Sequence, residues 1–364
     1  GRDYARAGEY LEQALHLARA IGDPSMLAHS LNRMANWYAN SEQPIAVQSY
    51  HEEALALFEA ASDQRGQAST LDLLGTSHIM MGDVISAARS YGQAAALLHV
   101  LDDRQGLIWC LSNVQMLGAA YVFDTAACPL IDLAACLHDA DEALQLARQI
   151  DWRAGVAAVL MYTGLALGPR GAYARAIEAA QQCIAIATEI EHRHWAMAGH
   201  WTLGAIYLDL LWLPEARRYL EQALELARTT GHAFSIRMAS SFLAETCIAQ
   251  GDLARARLVL GAALEADAPM QTLAARRVWI ARARYALADR LPEQALQIVD
   301  VLISSAPSRA SGRAIPHLWH LRALALIAIE RKDEAAIVLR EAQAAAIAQG
   351  LPPLLWRIAS VQAR

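Results

Sequence analysis

Four groups of side chains in this 364-residue chain have the types and spacing for chemistry. Arg276, Arg277, Arg282, Arg284 and Arg290 crowd one stretch, with Asp289 the only acid among them. Guanidinium groups at that density suit a carboxylate or phosphate, hence an acidic peptide, a nucleotide or an acidic neighbouring domain. Spread around a helix, the same arginines are ordinary solvated charges. Asn32, Asn36 and Asn40 recur at i, i+4, i+8 and so stack on one helix face. Asparagine is a poor interior helix former, and its amide both donates to and accepts from an extended peptide backbone. The competing reading is a solvated face. His192, His194 and His200, or His317 with His320, invite a metal reading. The i, i+2 pair points to different sides of a helix, and nothing in the sequence brings a cysteine or carboxylate to the i, i+3 pair, so no metal is expected. The five cysteines form no C-x-x-C pair and no even disulfide framework. A reducing, cytoplasmic setting is the expectation.

Catalytic signatures do not accompany these groups. The chain holds no G-x-x-x-x-G-K-[ST] loop, no G-x-S-x-G elbow and no H-E-x-x-H helix, and its acids are scattered rather than paired. Neither an enzyme nor a cofactor site is expected. Hydrophobic content of 55% with 19% charged residues describes an ordered, core-forming chain. A net charge of −6 weighs against direct nucleic-acid binding. No apolar run is long enough to span a bilayer. The chain begins without methionine inside a helical pattern and stops partway through another, so it is expected to be a fragment of a larger protein.

The elements that must position these residues show themselves as a ladder. Ala7, Val47, Ala87, Cys136, Ala176, Ala216, Ala256, Ala295 and Ala335 form one rail, with steps of 40, 40, 49, 40, 40, 40, 39 and 40 residues. Seven residues further on runs a second: Ala14, Ala54, Ala94, Ala143, Cys183, Ala223, Ala263, Leu302 and Ala342. One supersecondary unit copied end to end produces this pattern. Breakers such as Met81-Gly82-Asp83, Leu213-Pro214 and Gln250-Gly251-Asp252 divide each unit into two helices, A and B. Small residues on helix A (Ala35, Gly75, Gly164, Gly204, Ala244, Ala283, Ala323) precede the first rail by twelve, allowing the two helices to approach to roughly 8–9 Å. The 49-residue step inserts about nine residues near 121–131, between helices A and B of the third full unit. The insert is apolar, and the expectation is a longer loop packed on the repeats or an extension of helix A.

Small residues at these positions, with a loosely kept aromatic three residues further along helix A (Tyr38, His78, Tyr207), resemble the tetratricopeptide repeat. The period of about 40 is longer than the usual 34. It is similar to the long variety in sensor regions of bacterial STAND and LuxR-type transcription activators and multidomain signalling ATPases. The resemblance covers essentially the whole chain and implies an all-α, right-handed superhelix of about 18 helices. Its expected parts are a helix B at 1–22, eight full pairs over 24–349, and a truncated helix A at 352–364.

The resemblance also implies a concave groove lined by helix A, three residues before and one and four after its small residue. That register selects Asn32, Asn36, Asp72, Trp201, Ser241, Glu245, Arg284 and His320 as groove candidates, with Asn40 adjoining; Trp109, Ser112 and Arg277 are further groove candidates. Trp109 and Trp201 read either as ligand anchors or as packed core. The implied function is a non-catalytic module binding a protein, peptide or small effector inside a larger cytoplasmic bacterial regulator, with adjacent domains of the same chain as further partners. A constitutive scaffold without switching is the alternative, and an enzyme built on the repeats the third reading.

Overall fold

The computed structural model describes residues 4–41, 47–117, 120–128, 132–307 and 314–363. Helix α1 (Tyr4–Ile21) leads into α2 (Pro24–Asn40) and α3 (Val47–Ala60), then α4 (Gln64–Met80) and α5 (Val84–Val100). The third pair is α6 (Arg104–Met116) and, across the single-turn α7 (Ala120–Phe123), α8 (Leu133–Gln149). There follow α9 (Arg153–Leu167) with α10 (Tyr173–Glu189), α11 (Arg193–Asp209) with α12 (Leu213–Thr230), and α13 (Ala233–Ala249) with α14 (Leu253–Ala263). The last pairs are α15 (Leu273–Ala288) with α16 (Pro292–Ser304) and α17 (Pro316–Ala328) with α18 (Lys332–Ala348), before α19 (Pro352–Gln362). Among the described residues the fold is all-α, a right-handed solenoid of antiparallel helix pairs. Its count of nineteen exceeds the sequence expectation by the four-residue α7.

Local chemistry explains the boundaries. Asp23, Asp63, Asp83, Asp103 and Asp252 each accept a backbone N–H from the first turn of the helix that follows, at 2.7–3.1 Å. These bonds satisfy donors that a helix start leaves free. From Val47 onward every residue of the first rail is buried, Cys136 included. Gly204, the small residue of helix A twelve before Ala216, shows how closely the paired helices approach. A Cβ placed there would lie 2.7 Å from Leu220 Cδ2 on α12, far inside ordinary contact. Gly204→Leu is therefore expected to destabilise the chain by about 1–3 kcal/mol or more, with Gly204→Ala losing less. Thermal unfolding of the two variants checks this order.

The superhelix is tight. Helices A of successive units pack on one another, and α4 of the second unit meets α15 of the seventh. The interior is accordingly narrow, and the inserted segment lies inside it. Of the two expected forms, a loop packed on the repeats and an extension of helix A, the first is the one present, and it lies on the inner side. Helix α6 ends at Met116, and Tyr121, Val122, Phe123, Asp124, Thr125, Ala126 and Ala127 are all buried. Tyr121 reaches Asp209, Thr125 reaches Arg276, and Ala127 joins a core cluster with Ile280, Val299 and Leu318. Five of those seven side chains are apolar, so burying them inside the superhelix removes from water a patch that an external loop would expose. Among the described residues no helix is long and apolar enough to cross a membrane.

Candidate functional site

The interior divides into two chambers with the inserted segment between them. The first is an open cavity of about 740 Å³, built by helices A of the second to sixth units. Five methionines (Met80, Met116, Met161, Met197 and Met238) and the rings of Tyr91, Trp109, Tyr162, Trp195, Trp201 and Phe234 line it. Trp109, Tyr162 and Trp195 form a mutual cluster with centroids 5.8–6.3 Å apart. Trp201 packs edge-on against Phe242 at 5.7 Å, and its indole nitrogen is buried without a hydrogen-bond partner. At the rim His192 stacks on Trp195 at 5.8 Å, with His194 and His232 beside it. The volume lies in the range of small-molecule and peptide-side-chain sites, and unbranched thioethers let such walls repack around different apolar shapes.

The second chamber is charged and nearly filled. Arg277, 2% exposed, donates to Glu245 at 2.5 Å, lies 3.3 Å from Asp124 of the inserted segment, and stacks over Phe242 at 4.0 Å. Arg284 approaches the same Glu245 at 3.4 Å. Burial alone would raise the Glu245 carboxyl, but Arg277 and Arg284 outweigh it and hold the group below its ordinary range. For Asp124 burial wins over Arg277, and its pKa is pushed up to about 6. Burial, followed by repulsion from Arg284 and Arg357, drives His317 well below the usual imidazole range and His320 to about 3, so both rings are neutral. On the other flank Asp209 accepts from Tyr121 at 3.0 Å, Tyr173 at 3.2 Å and Arg357 at 2.7 Å. The adjacent Arg276 is fully buried and serves neutral partners: the carbonyls of Thr125, Leu302, Met270 and Ser305 and the Ser305 hydroxyl.

The groove residues expected from the sequence scatter over this arrangement. Trp109 and Trp201 reach the apolar cavity, and Glu245, Arg277, Arg284 and His320 gather in or beside the charged chamber. The reading of Arg276 and Arg277 as solvated charges does not hold, because both are enclosed by the insert and by α13 or α16. Ser112 and Ser241 are fully buried and turn their hydroxyls back onto the carbonyls of Ile108 and Met238. Asp72 is half-buried on α4 and accepts from Cys110 Sγ at 3.5 Å; burial lifts its pKa to about 7. Asn32 is buried as well. It donates to Thr70 at 2.7 Å and lies 2.8 Å from His51, so it ties three helices together rather than facing a groove. Asn36 is exposed one turn on, and the side chain of Asn40 lies outside the described residues. No three His, Cys, Asp or Glu side chains among the described residues are placed to hold a metal ion.

Sequence reasoning missed the methionines, Trp195 and the whole contribution of the insert, and it placed Arg276 in a charge cluster without its buried partners. The groove register does select Met161, three before Gly164; Met80, Met197 and Met238 fall outside it, and the third unit of Met116 has no small residue to set a register. Nothing in the repeat signals where an insertion without a period will lie.

No protein-family model matches the chain, and no curated protein matches it in sequence. Its fold is similar to that of NprR in complex with its cognate peptide NprX, with a TM-score of 0.61 at 12% identity, covering 94% of this chain and 98% of that one. It is similar also to a Rap protein complexed with competence and sporulation factor (TM-score 0.51, 13% identity, 100% and 88% covered). The apo form of the quorum sensor NprR from B. thuringiensis gives 0.51 at 12% identity, with 93% and 97% covered. The shared fold is the tetratricopeptide-like superhelix.

Proposed function

We propose that the chain is the non-catalytic binding module of a larger cytoplasmic bacterial regulator, and that it takes the apolar part of a peptide, protein segment or small effector into its interior. The observation that carries this reading is the open cavity of about 740 Å³ walled by five methionines and a tryptophan cluster. Large aromatic faces supply binding area at low entropic cost, and adaptable thioethers accept more than one apolar shape. That NprR and a Rap protein share the fold and are complexed with peptide NprX and with competence and sporulation factor supports a peptide as the ligand class.

The test is a titration with a pool of short synthetic peptides rich in Leu, Phe and Met, read by tryptophan emission, since Trp109, Trp195 and Trp201 line the cavity. Ala198 also lines it and is buried. Ala198→Phe is expected to fill the space and weaken binding about tenfold or more, as loss of an anchor site does, while leaving the helical circular dichroism intact. Undiminished binding to that variant would sink the proposal.

A further inference from the structure

We propose that the charged chamber is a receptor for an extended peptide segment carrying an aspartate or glutamate, and that the chain's own residues 120–128 occupy it until such a peptide displaces them. The inference rests on reading the interior as the binding surface, and it adds a second ligand chemistry and a form of control.

The segment is a guest in the repeat architecture. Helices α6 and α8 pack on each other, and α6 packs on α9, as in the other units. The third pair therefore closes without help from residues 120–128. Inside the superhelix the segment is held as a peptide ligand would be held. Arg276 donates from Nη2 to the Thr125 carbonyl oxygen at 2.8 Å and from Nε at 3.3 Å, recognising backbone. Arg277 faces the Asp124 carboxylate, recognising a side chain. Both guanidinium groups are oriented from outside the segment. Leu302 and Ser305 accept from Arg276 at 2.6 and 3.0 Å, and Glu245 with the Phe242 ring fixes Arg277. The donors remain in place when the guest leaves, which is the preorganisation that favours binding.

The guest also fits imperfectly. Arg277 Nε lies close to Asp124 Oδ2 but is not aligned for a hydrogen bond, and Asp124 Oδ1 and Thr125 Oγ1 have no partner. On the receptor side the Nε2 atoms of His317 and His320 are buried without a hydrogen bond, and Arg284 Nε, 3.4 Å from Glu245, makes an ion pair but no hydrogen bond. Native interiors seldom leave so many polar atoms unpaired in one place. A peptide whose acidic side chain reaches Arg284 as well as Arg277 satisfies groups that Asp124 leaves idle. The segment further borders the apolar cavity through Val122. Its displacement joins the two chambers, so that one peptide spans both an apolar and an acidic subsite.

The experiment offers the segment in trans. A fluorescent nonapeptide of sequence Ala-Tyr-Val-Phe-Asp-Thr-Ala-Ala-Ser is titrated into the full chain and into Asp124→Ser, which loosens the resident segment and leaves every receptor donor intact. The variant is expected to bind at least about tenfold more tightly than the parent, and the same peptide with Asn for Asp to lose that gain. Equal affinity for parent and variant, or for the two peptides, overturns the proposal. Hydrogen exchange on the unmodified chain gives a second reading should the variant not fold. Amides 121–128 are expected to exchange about a hundredfold faster than those of α13 and α15 through local release, and equal protection overturns the idea. Failure here with apolar peptides still excluded by Ala198→Phe removes this inference alone. Failure of both removes the reading of the interior as a binding surface.

Discussion

Arg276→Met is expected to lower the unfolding free energy by about 3–5 kcal/mol, the usual cost of removing one side of a buried charged contact. Arg276 is fully buried, and it donates to the Thr125, Leu302, Met270 and Ser305 carbonyls and to the Ser305 hydroxyl. Methionine approximates its volume and donates nothing. The Thr125 and Leu302 carbonyls lose their charged donor inside the protein, each at about 1–3 kcal/mol. Part of that loss is offset, because burial pulls the Arg276 pKa down to about 10 and the folded chain no longer carries that desolvated cation. At that value the group stays protonated across the physiological range, and all its direct partners are neutral. The penalty is therefore expected to be nearly flat between about pH 5 and 8. Urea titrations of parent and variant measure it as a shift in midpoint with similar slope. A loss below about 1 kcal/mol would show that these carbonyls do not depend on Arg276.

That arginine marks where the sequence stops being informative. The repeat is legible because each helix solves the same packing problem forty residues after the last one. Burial of the rail from Val47 to Ala335 and aspartate caps at Asp63, Asp83 and Asp103 follow from patterns printed in the chain. Trp109 and Trp201 could be placed on the inner face for the same reason. The interior itself is another matter. Arg276 and Arg277 look like surface charges on an amphipathic helix, and their burial depends on neighbouring helices together with a segment 151 residues earlier in the chain. Asn32 obeyed the groove register yet spends its amide on Thr70 and His51, because the superhelix is tight enough to bring those groups to it. Periodicity reports what a helix does to its neighbours in the array. A contact between the third and seventh units has no period to report it.

The apolar cavity and the charged chamber follow from one physical circumstance. An apolar insert in a narrow superhelix lowers its exposed area by turning inward. Its backbone and its one carboxylate then need donors, and α15 supplies two adjacent arginines with different partners. Arg276 answers the carbonyl and Arg277 the carboxylate. The cavity is the part of the interior that the insert does not reach, with Val122 at its edge.

Arg277→Met is expected to cost as much as its neighbour, about 3–5 kcal/mol, but with a steep dependence on pH. Its partners are carboxylates: Glu245 at 2.5 Å and Asp124 at 3.3 Å, both nearly buried. In the parent chain the two acids act in opposite senses. The Glu245 pKa is held below its unfolded value, so its contribution to stability is present above that value and is lost as pH falls through the folded one. The Asp124 pKa is raised from 3.8 to about 6, so stability declines as pH rises through that interval, where the folded chain keeps a proton that the unfolded chain has released. Removing Arg277 raises both folded values. Arg284 remains near Glu245 and acts on Asp124 at longer range, but among the described residues no other cation pairs with Asp124. Above about pH 6 the variant must either bury uncompensated carboxylates or hold protons that the unfolded chain does not, and there the loss is full. Near pH 4 the unfolded chain itself protonates most of Glu245 and part of Asp124, so holding those protons in the folded variant costs less, and the loss is expected to fall. Adding Asp124→Asn to Arg277→Met should restore about 0.5–3 kcal/mol at pH 8 and little at pH 4, the coupling expected of charges in contact. Equilibrium unfolding at the two pH values for Arg276→Met, Arg277→Met and the double variant supplies every comparison. A pH-independent loss in Arg277→Met would mean that it acts through its stacking on Phe242 rather than through the carboxylates, and would remove the electrostatic basis for an acidic guest in this chamber.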